Sequence, residues 1–290
     1  MTRKKNIILG SANFSLEYGI ANKDGKKGAS KVKSILDCAI DHGISHVDTA
    51  SSYGDSESLI GTFWDKKQPL NIMSKLARND CRDPESIIGS VRRTKSNTRQ
   101  ATIWCLLLHN PEVLFEREYS HVKRTLLELS HSGQVANLGV SAYSEDEILR
   151  TKDIFPELNI FQLTENICDR RNYESRQLKT FSEQGNEIYV RSIFLQGLLL
   201  MNPQELPAKV EMARARLEEF QDFCFRESLS KVEACVLYAI SIPWASGLIF
   251  GVDSTEQLTE ILAGLKASKA KDFTFAPKFD DWLLDPRNWS

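Results

Sequence analysis

The 290-residue sequence predicts an α/β fold, a closed parallel barrel of eight strands in the (β/α)8 arrangement. Three observations carry that expectation. Apolar, β-rich runs alternate with amphipathic stretches from one end of the chain to the other. The apolar runs are continuous, as in parallel strands covered on both faces, rather than alternating with polar residues. Eight such runs occur without any Gly-rich dinucleotide turn, which favours a barrel over a doubly wound sheet.

The elements follow in order. "NIILG" (6–10) is the first strand, and the helix over "KVKSILDCAIDHG" is ended by Gly43. "HVDTA" (46–50) is the second, with a helix beginning near "SESLIGTFW" and Ser56 as its N-cap. "NIMSKL" (71–76) precedes "DPESIIGSVRRT", where Pro84 suits a first helical turn. "IWCLLLH" (103–109) leads into the long helix of "REYSHVKRTLLELSHSG". "VANLGVS" (135–141), "NIFQL" (159–163) and "EIYVRS" (187–192) are strands five to seven. The stretch 206–241 reads as helical throughout, and "GLIFGV" (247–252) is the eighth strand before "STEQLTEILAGL". No Pro-, Gly- or Ser-rich linker divides the chain, so a single domain over 1–290 is expected. Its tail, from about 267 to 290, either folds over the barrel mouth or packs on the outer helices.

A charged fraction of 26% and a net charge of −2 give no reason to expect nucleic-acid or membrane binding. The basic patches Arg3–Lys5 and Lys23–Lys27 read as solvated surface. Six cysteines lack metal-ligand spacing, and Cys38, Cys105 and Cys235 read as small buried hydrophobes in a reducing compartment. "IIL" is too short for a signal peptide, and no apolar run reaches membrane-spanning length. A cytoplasmic protein is expected.

In such barrels the reacting groups sit at the C-terminal strand ends and the loops behind them. Asp48 lies near the end of the second strand, Lys75 on the third and His109 at the end of the fourth, with Tyr53 in the loop after the second. A carboxylate, a phenol, an ammonium and an imidazole would thus meet at one mouth.

With "GISHVDTASSYGDSESLIG", "SKL", "LLLHNP", "VANLGVSAYSEDE", "FQLTEN", "YVRSIFLQGLL" and "LIFGVDSTEQLTEIL" in this order, the chain resembles the aldo-keto reductases over nearly its whole length. The resemblance implies a nicotinamide-dependent oxidoreductase interconverting a carbonyl and an alcohol. Tyr53 would be the general acid or base, Lys75 would lower its pKa, Asp48 would hold Lys75, and His109 would orient the carbonyl oxygen. A free phenol, with a pKa of about 10, is otherwise a sluggish acid at neutral pH.

The resemblance also assigns cofactor contacts. Ser141 and Gln162 match residues that hold the carboxamide, with Ala142 in place of the family's Asn. Arg191 stands where an aromatic residue often stacks on the nicotinamide, and Ser192, Leu195 and Gly197 would follow the pyrophosphate. Gly251 and Gln257 replace two cations that many members place on the adenosine 2′-phosphate. Ser254 could offer a hydroxyl to a phosphate, and Glu260 matches an adenine contact, with Ile261 beside it replacing an Asn. The cofactor is NADPH or NADH, its preference open. The partner expected is a small carbonyl or alcohol, a sugar-derived one included, with Asn166 and Arg191 as polar contacts.

Two other readings stand beside this one. A non-catalytic, cofactor-sensing regulatory subunit of the same fold would retain the same four residues. A different barrel chemistry, such as a lyase or a metal-assisted hydrolase, is the third; His46 and His109 with nearby acids suggest metal ligands, but His46 opens its strand while His109 closes one, which places them at opposite barrel ends.

Overall fold

The computed structural model describes residues 5–20, 25, 27–266 and 271–289. Among these, eight strands close into a barrel in sequence order: β1 (Asn6–Gly10), β2 (His46–Asp48), β3 (Asn71–Leu76), β4 (Ile103–Leu108), β5 (Val135–Ala142), β6 (Ile160–Thr164), β7 (Glu187–Arg191) and β8 (Gly247–Gly251). Every pairing is parallel, and β1 closes on β8 with Gly10 opposite Gly251. With helices between successive strands, this is the (β/α)8 TIM barrel. All strand C-termini therefore share one rim.

Side chains alternate between the inside of the barrel and the helical layer outside it. Ile8, Met73, Cys105, Leu107, Ile160, Tyr189 and Ile249 fill the interior as a separate apolar cluster, while Leu9, Val47 and Ile72 join the larger core beneath the helices. The interior is packed tightly enough to dictate glycine: a Cβ on Gly247 would lie 2.6 Å from the Tyr189 ring, and one on Gly139 only 1.8 Å from the Ile160 carbonyl oxygen. At the N-terminal end, Trp104 makes edge contacts with His46 and Tyr189, at 4.7 and 6.1 Å between ring centroids. This aromatic plug closes the bottom and leaves chemistry to the opposite rim.

The strands fall where the apolar runs predict, within one or two residues. The differences lie elsewhere. The stretch 206–241 is not one helix. A 3-10 segment (Ala208–Ala213) and a helix (Arg214–Arg226) are separated from the helix Lys231–Ser241 by a break in which Ser228 takes φ 54°. The later helix restarts with a capping box between Ser230 and Glu233. Ser56 does not cap its helix. Asp55 holds that position, and the Ser56 hydroxyl donates to the Ser11 carbonyl at 2.9 Å. Cys105 and Cys235 are buried as expected, whereas Cys38 is only half-buried.

The basic patches are not simply solvated. Lys5 donates to the carbonyl oxygens of Ile242 and Ala245, and Lys27 is buried against Asp253. Arg3 and Lys23 lie outside the described residues. After Lys271 the tail runs beside the loop following β6: the Arg170 guanidinium donates to the Ala276 carbonyl, and the Phe279 amide to the Cys168 carbonyl. It ends with Trp289 buried and the Arg287 guanidinium 4.1 Å from the Tyr143 ring centroid. Among the described residues no helix is long and apolar enough to cross a membrane.

Candidate active site

A cavity of about 620 Å³ opens at the C-terminal rim. Asp48, Tyr53, Lys75 and His109 all line it, brought together from β2, β3, β4 and the loop after β2. Parallel register explains the convergence. Asp48 sits opposite Met73, so Lys75 lies two residues further along β3 on the same face.

Lys75 Nζ is 2.7 Å from both carboxylate oxygens of Asp48 and 2.9 Å from the Thr49 carbonyl oxygen. Three acceptors at such distances require three N–H donors, which only the ammonium possesses. Burial pulls the Lys75 pKa down, and Asp48 opposes that pull. Asp48 also accepts a hydrogen bond from Gln162 Nε2 at 2.5 Å. The pair forms a saturated, neutralised base to the cavity.

Tyr53 lies above this base, with Lys75 Nζ 5.0 Å from its ring centroid and the His109 ring edge-on at 6.1 Å. Burial first and Asp48 second push the phenol pKa up, while Arg191 draws it down. Lys75 approaches the ring rather than hydrogen-bonding the hydroxyl, and its ammonium is held by Asp48. His109 is pulled down to about 3 by burial, then by Lys75 and Arg191, so its imidazole is neutral at physiological pH.

On the β5–β7 side, Ser141, Gln162, Arg191, Ser192 and Gly197 line the cavity, and Ala142 lies fully buried beside them. Gln162 Oε1 is buried without a hydrogen-bond partner, since the amide's other end is turned to Asp48. The Arg191 guanidinium stacks on Tyr143 at 4.4 Å from the ring centroid. Beyond β7 the backbone turns through left-handed conformations at Ser192, Leu195 and Gln196, costly for side chains other than glycine. That turn drops Leu195 into the core and leaves Gln196 and Gly197 facing the cavity, so Leu195 is not among its lining residues. The Ile20 amide donates to the Gln196 carbonyl at 3.0 Å, which ties the loop after β1 to the loop after β7.

On the β8–β1 side, Gly251, Asp253, Gln257 and Glu260 line the cavity with Ile261. Asp253 is bonded to Lys27 Nζ at 2.5 Å and to Asn13 Nδ2 at 2.8 Å, and the Gln257 side chain accepts from its backbone amide. Ser254 caps the helix Thr255–Lys266 by accepting from the Gln257 amide and does not reach the cavity. Asn13 Oδ1 is buried without a partner among the described residues. Asn166 is turned away as well: it is buried, and its Oδ1 accepts from the Cys168 amide.

Reading the sequence missed Asn13, Tyr18, Tyr143 and Asp253 as cavity residues. "SAYSE" carries Tyr143 directly after β5, whereas Tyr18 in "SLEYG" lies past the short helix Ala12–Ser15 that follows β1. An aromatic residue in the first polar residues after an apolar run is the signal that could have found Tyr143.

The model of the Aldo/keto reductase family matches residues 6–274. No curated protein matches the chain. Among solved structures, the fold is similar to that of a glycerol dehydrogenase from Gluconobacter oxydans, at 20% identity over 91% of this chain and 87% of that one, with a TM-score of 0.70. It is also similar to a thermostable aldo-keto reductase solved with the inhibitor epalrestat, at 19% identity over 92% of each chain and a TM-score of 0.68. With the family model covering the barrel from β1 past β8, this chain belongs to the Aldo/keto reductase family, a family of oxidoreductases.

Proposed function

We propose that this protein interconverts a carbonyl compound and an alcohol with a nicotinamide cofactor, and that Tyr53 is the general acid in reduction and the base in oxidation. The carrying observation is the phenol of Tyr53 beside a neutral His109, above a saturated Asp48–Lys75 pair, in one cavity. When bound, the nicotinamide supplies or accepts the hydride. In reduction Tyr53 Oη gives its proton to the carbonyl oxygen, so carbon gains the hydride and oxygen the proton. His109 donates one ring N–H to that oxygen and, being neutral, does not compete as an acid. Asp48 and Lys75 balance each other, so the phenolate left on Tyr53 faces a fixed ammonium nearby rather than a bare carboxylate.

The residues fit a dinucleotide. Two buried acceptors, Gln162 Oε1 and Asn13 Oδ1, lack donors and suit amide or hydroxyl groups of a ligand. A Cβ on Gly251 would meet nothing nearer than Asn13 Oδ1 at 3.8 Å, so a ligand can approach the backbone there. Gln162 and Ser141 would hold the carboxamide, and Asp253 and Glu260 would meet the adenosine limb. With acids there and Lys27, the buried cation of this limb among the described residues, engaged by Asp253, the 2′-hydroxyl of NADH suits this limb better than a 2′-phosphate. The unpaired thiols suit a cytoplasmic location, and the substrate class includes hydroxylated, sugar-derived carbonyls.

A cofactor-sensing subunit without turnover is a second reading, favoured by one observation: burial and Asp48 hold the Tyr53 pKa high. Titration of intrinsic fluorescence with NADH and NADPH, followed by aldehyde-dependent oxidation of the bound cofactor, tests both. Saturable quenching with turnover supports the enzyme, and quenching without turnover of any aldehyde supports the sensor. Absence of binding to either cofactor defeats both.

A further inference from the structure

Resting on the reading of this cavity as a carbonyl–alcohol site, we infer that Arg191 anchors an anionic group of the substrate, which is therefore a carbonyl compound or alcohol bearing a carboxylate or a phosphate.

Arg191 ends β7 half-buried, and its donors go to neutral acceptors: Ser141 Oγ at 3.2 Å, the Ala142 carbonyl at 3.1 Å and Ser192 Oγ at 3.4 Å. A guanidinium carries five N–H groups, so two remain. Among the described residues no carboxylate lies within ion-pair distance of it. Asp285 feels its field, but both oxygens of Asp285 are bonded to Arg287. At the cavity floor Lys75 is cancelled by Asp48, and His109 is neutral. One positive charge is left over beside the reacting groups, and both Tyr53 and His109 register it. A partly desolvated cation without a counter-ion is unfavourable, and an anion brought by a ligand relieves that cost.

Geometry narrows the source of the anion. Stacking on Tyr143 fixes the guanidinium plane, which prepares its free edge for a planar or tetrahedral oxyanion. The side chain leans from β7 toward the end of β5, on the side where Tyr143 and the tail residue Arg287 meet. The β8–β1 limb, where Glu260 repels anions and Asp253 is paired with Lys27, lies the other way. The charge thus faces the reacting end of the cavity. The rival source of the same chemistry is the diphosphate of the cofactor.

Paired probes decide between them. Succinic semialdehyde against butanal, and glyceraldehyde 3-phosphate against glyceraldehyde, are compared as kcat/KM with saturating cofactor, in the wild type, Arg191→Met and Arg191→Lys. The expected result is a preference of about tenfold or more for at least one charged member, weakening as salt rises. That ratio collapses toward one in Arg191→Met and is partly kept in Arg191→Lys. Equal use of charged and neutral members by the wild type overturns the inference. So does an Arg191→Met loss that is the same for both members of a pair, which would assign Arg191 to the cofactor. Should no aldehyde turn over, the enzyme reading fails by itself, and calorimetry with succinate and inorganic phosphate still tests Arg191. Binding of either anion that is lost in Arg191→Met upholds the anchor, and no binding refutes it.

Discussion

Lys75 Nζ lies 2.7 Å from both carboxylate oxygens of Asp48, and both side chains are buried. Removing either partner alone leaves a buried charge uncompensated, which typically costs about 3–5 kcal/mol. Asp48→Asn and Lys75→Met are each expected to lower stability by that order in chemical denaturation. The double variant should recover a large part of the loss, because no lone charge remains. Additive losses would mean that the two groups are solvated independently.

Tyr53→Phe removes one oxygen and little else, since no hydrogen bond to the hydroxyl is made among the described residues. We expect the variant to fold and bind cofactor like the wild type while carbonyl reduction falls by about 10²–10⁴, the usual contribution of a general acid. Single-turnover measurements read the hydride step directly. Undiminished turnover would move the acid to His109 or to water.

The adenosine limb makes a prediction about cofactor. Gly251 and Gln257 bring no charge, and Asp253 is paired with Lys27. NADH is therefore expected to bind more tightly than NADPH. Gln257→Arg should strengthen NADPH binding by about tenfold through a charge-assisted hydrogen bond to the 2′-phosphate. Equilibrium fluorescence titration checks both statements, and tighter NADPH binding by the wild type would contradict the first.

How much of this was legible in the sequence depends on the kind of residue. Asp48, Lys75 and Gln162 lie on continuous apolar runs, and parallel strands fix both their face and their rim. Gly139 and Gly247 were unreadable, because their requirement comes from neighbours on other strands: the Ile160 carbonyl and the Tyr189 ring. Lys27 looked like surface because its partner, Asp253, stands 226 positions away, and only barrel closure of β1 on β8 brings them together. Motif order places Leu195 and Ser254 at the cofactor, but backbone direction decides where they point. The left-handed turn sends Leu195 inward, and the helix cap engages Ser254. Arg191 is legible as an unusual residue, yet its stack on Tyr143 and its lack of a counter-ion among the described residues depend on two loops and the tail.

His109 gives a pH prediction whose sign can be worked out. Its folded pKa is pulled down to about 3, chiefly by burial, while the unfolded chain keeps the ordinary value of about 6.5. Between those values the unfolded state binds more protons than the folded one, so stability rises with pH there and is lost on acidification. The full contribution is present above about pH 6.5 and drains away as pH falls toward 3. Carboxylates protonate at the lower end of that window and His46 is also pulled down by burial, so the wild-type curve has several sources. The part due to His109 is the difference between the wild type and His109→Gln, which cannot charge. Denaturation midpoints measured from pH 8 to 4 should therefore converge on acidification, with His109→Gln losing less than the wild type. Parallel curves would show that His109 titrates alike in both states and is better solvated than its burial and its contact with Tyr53 imply.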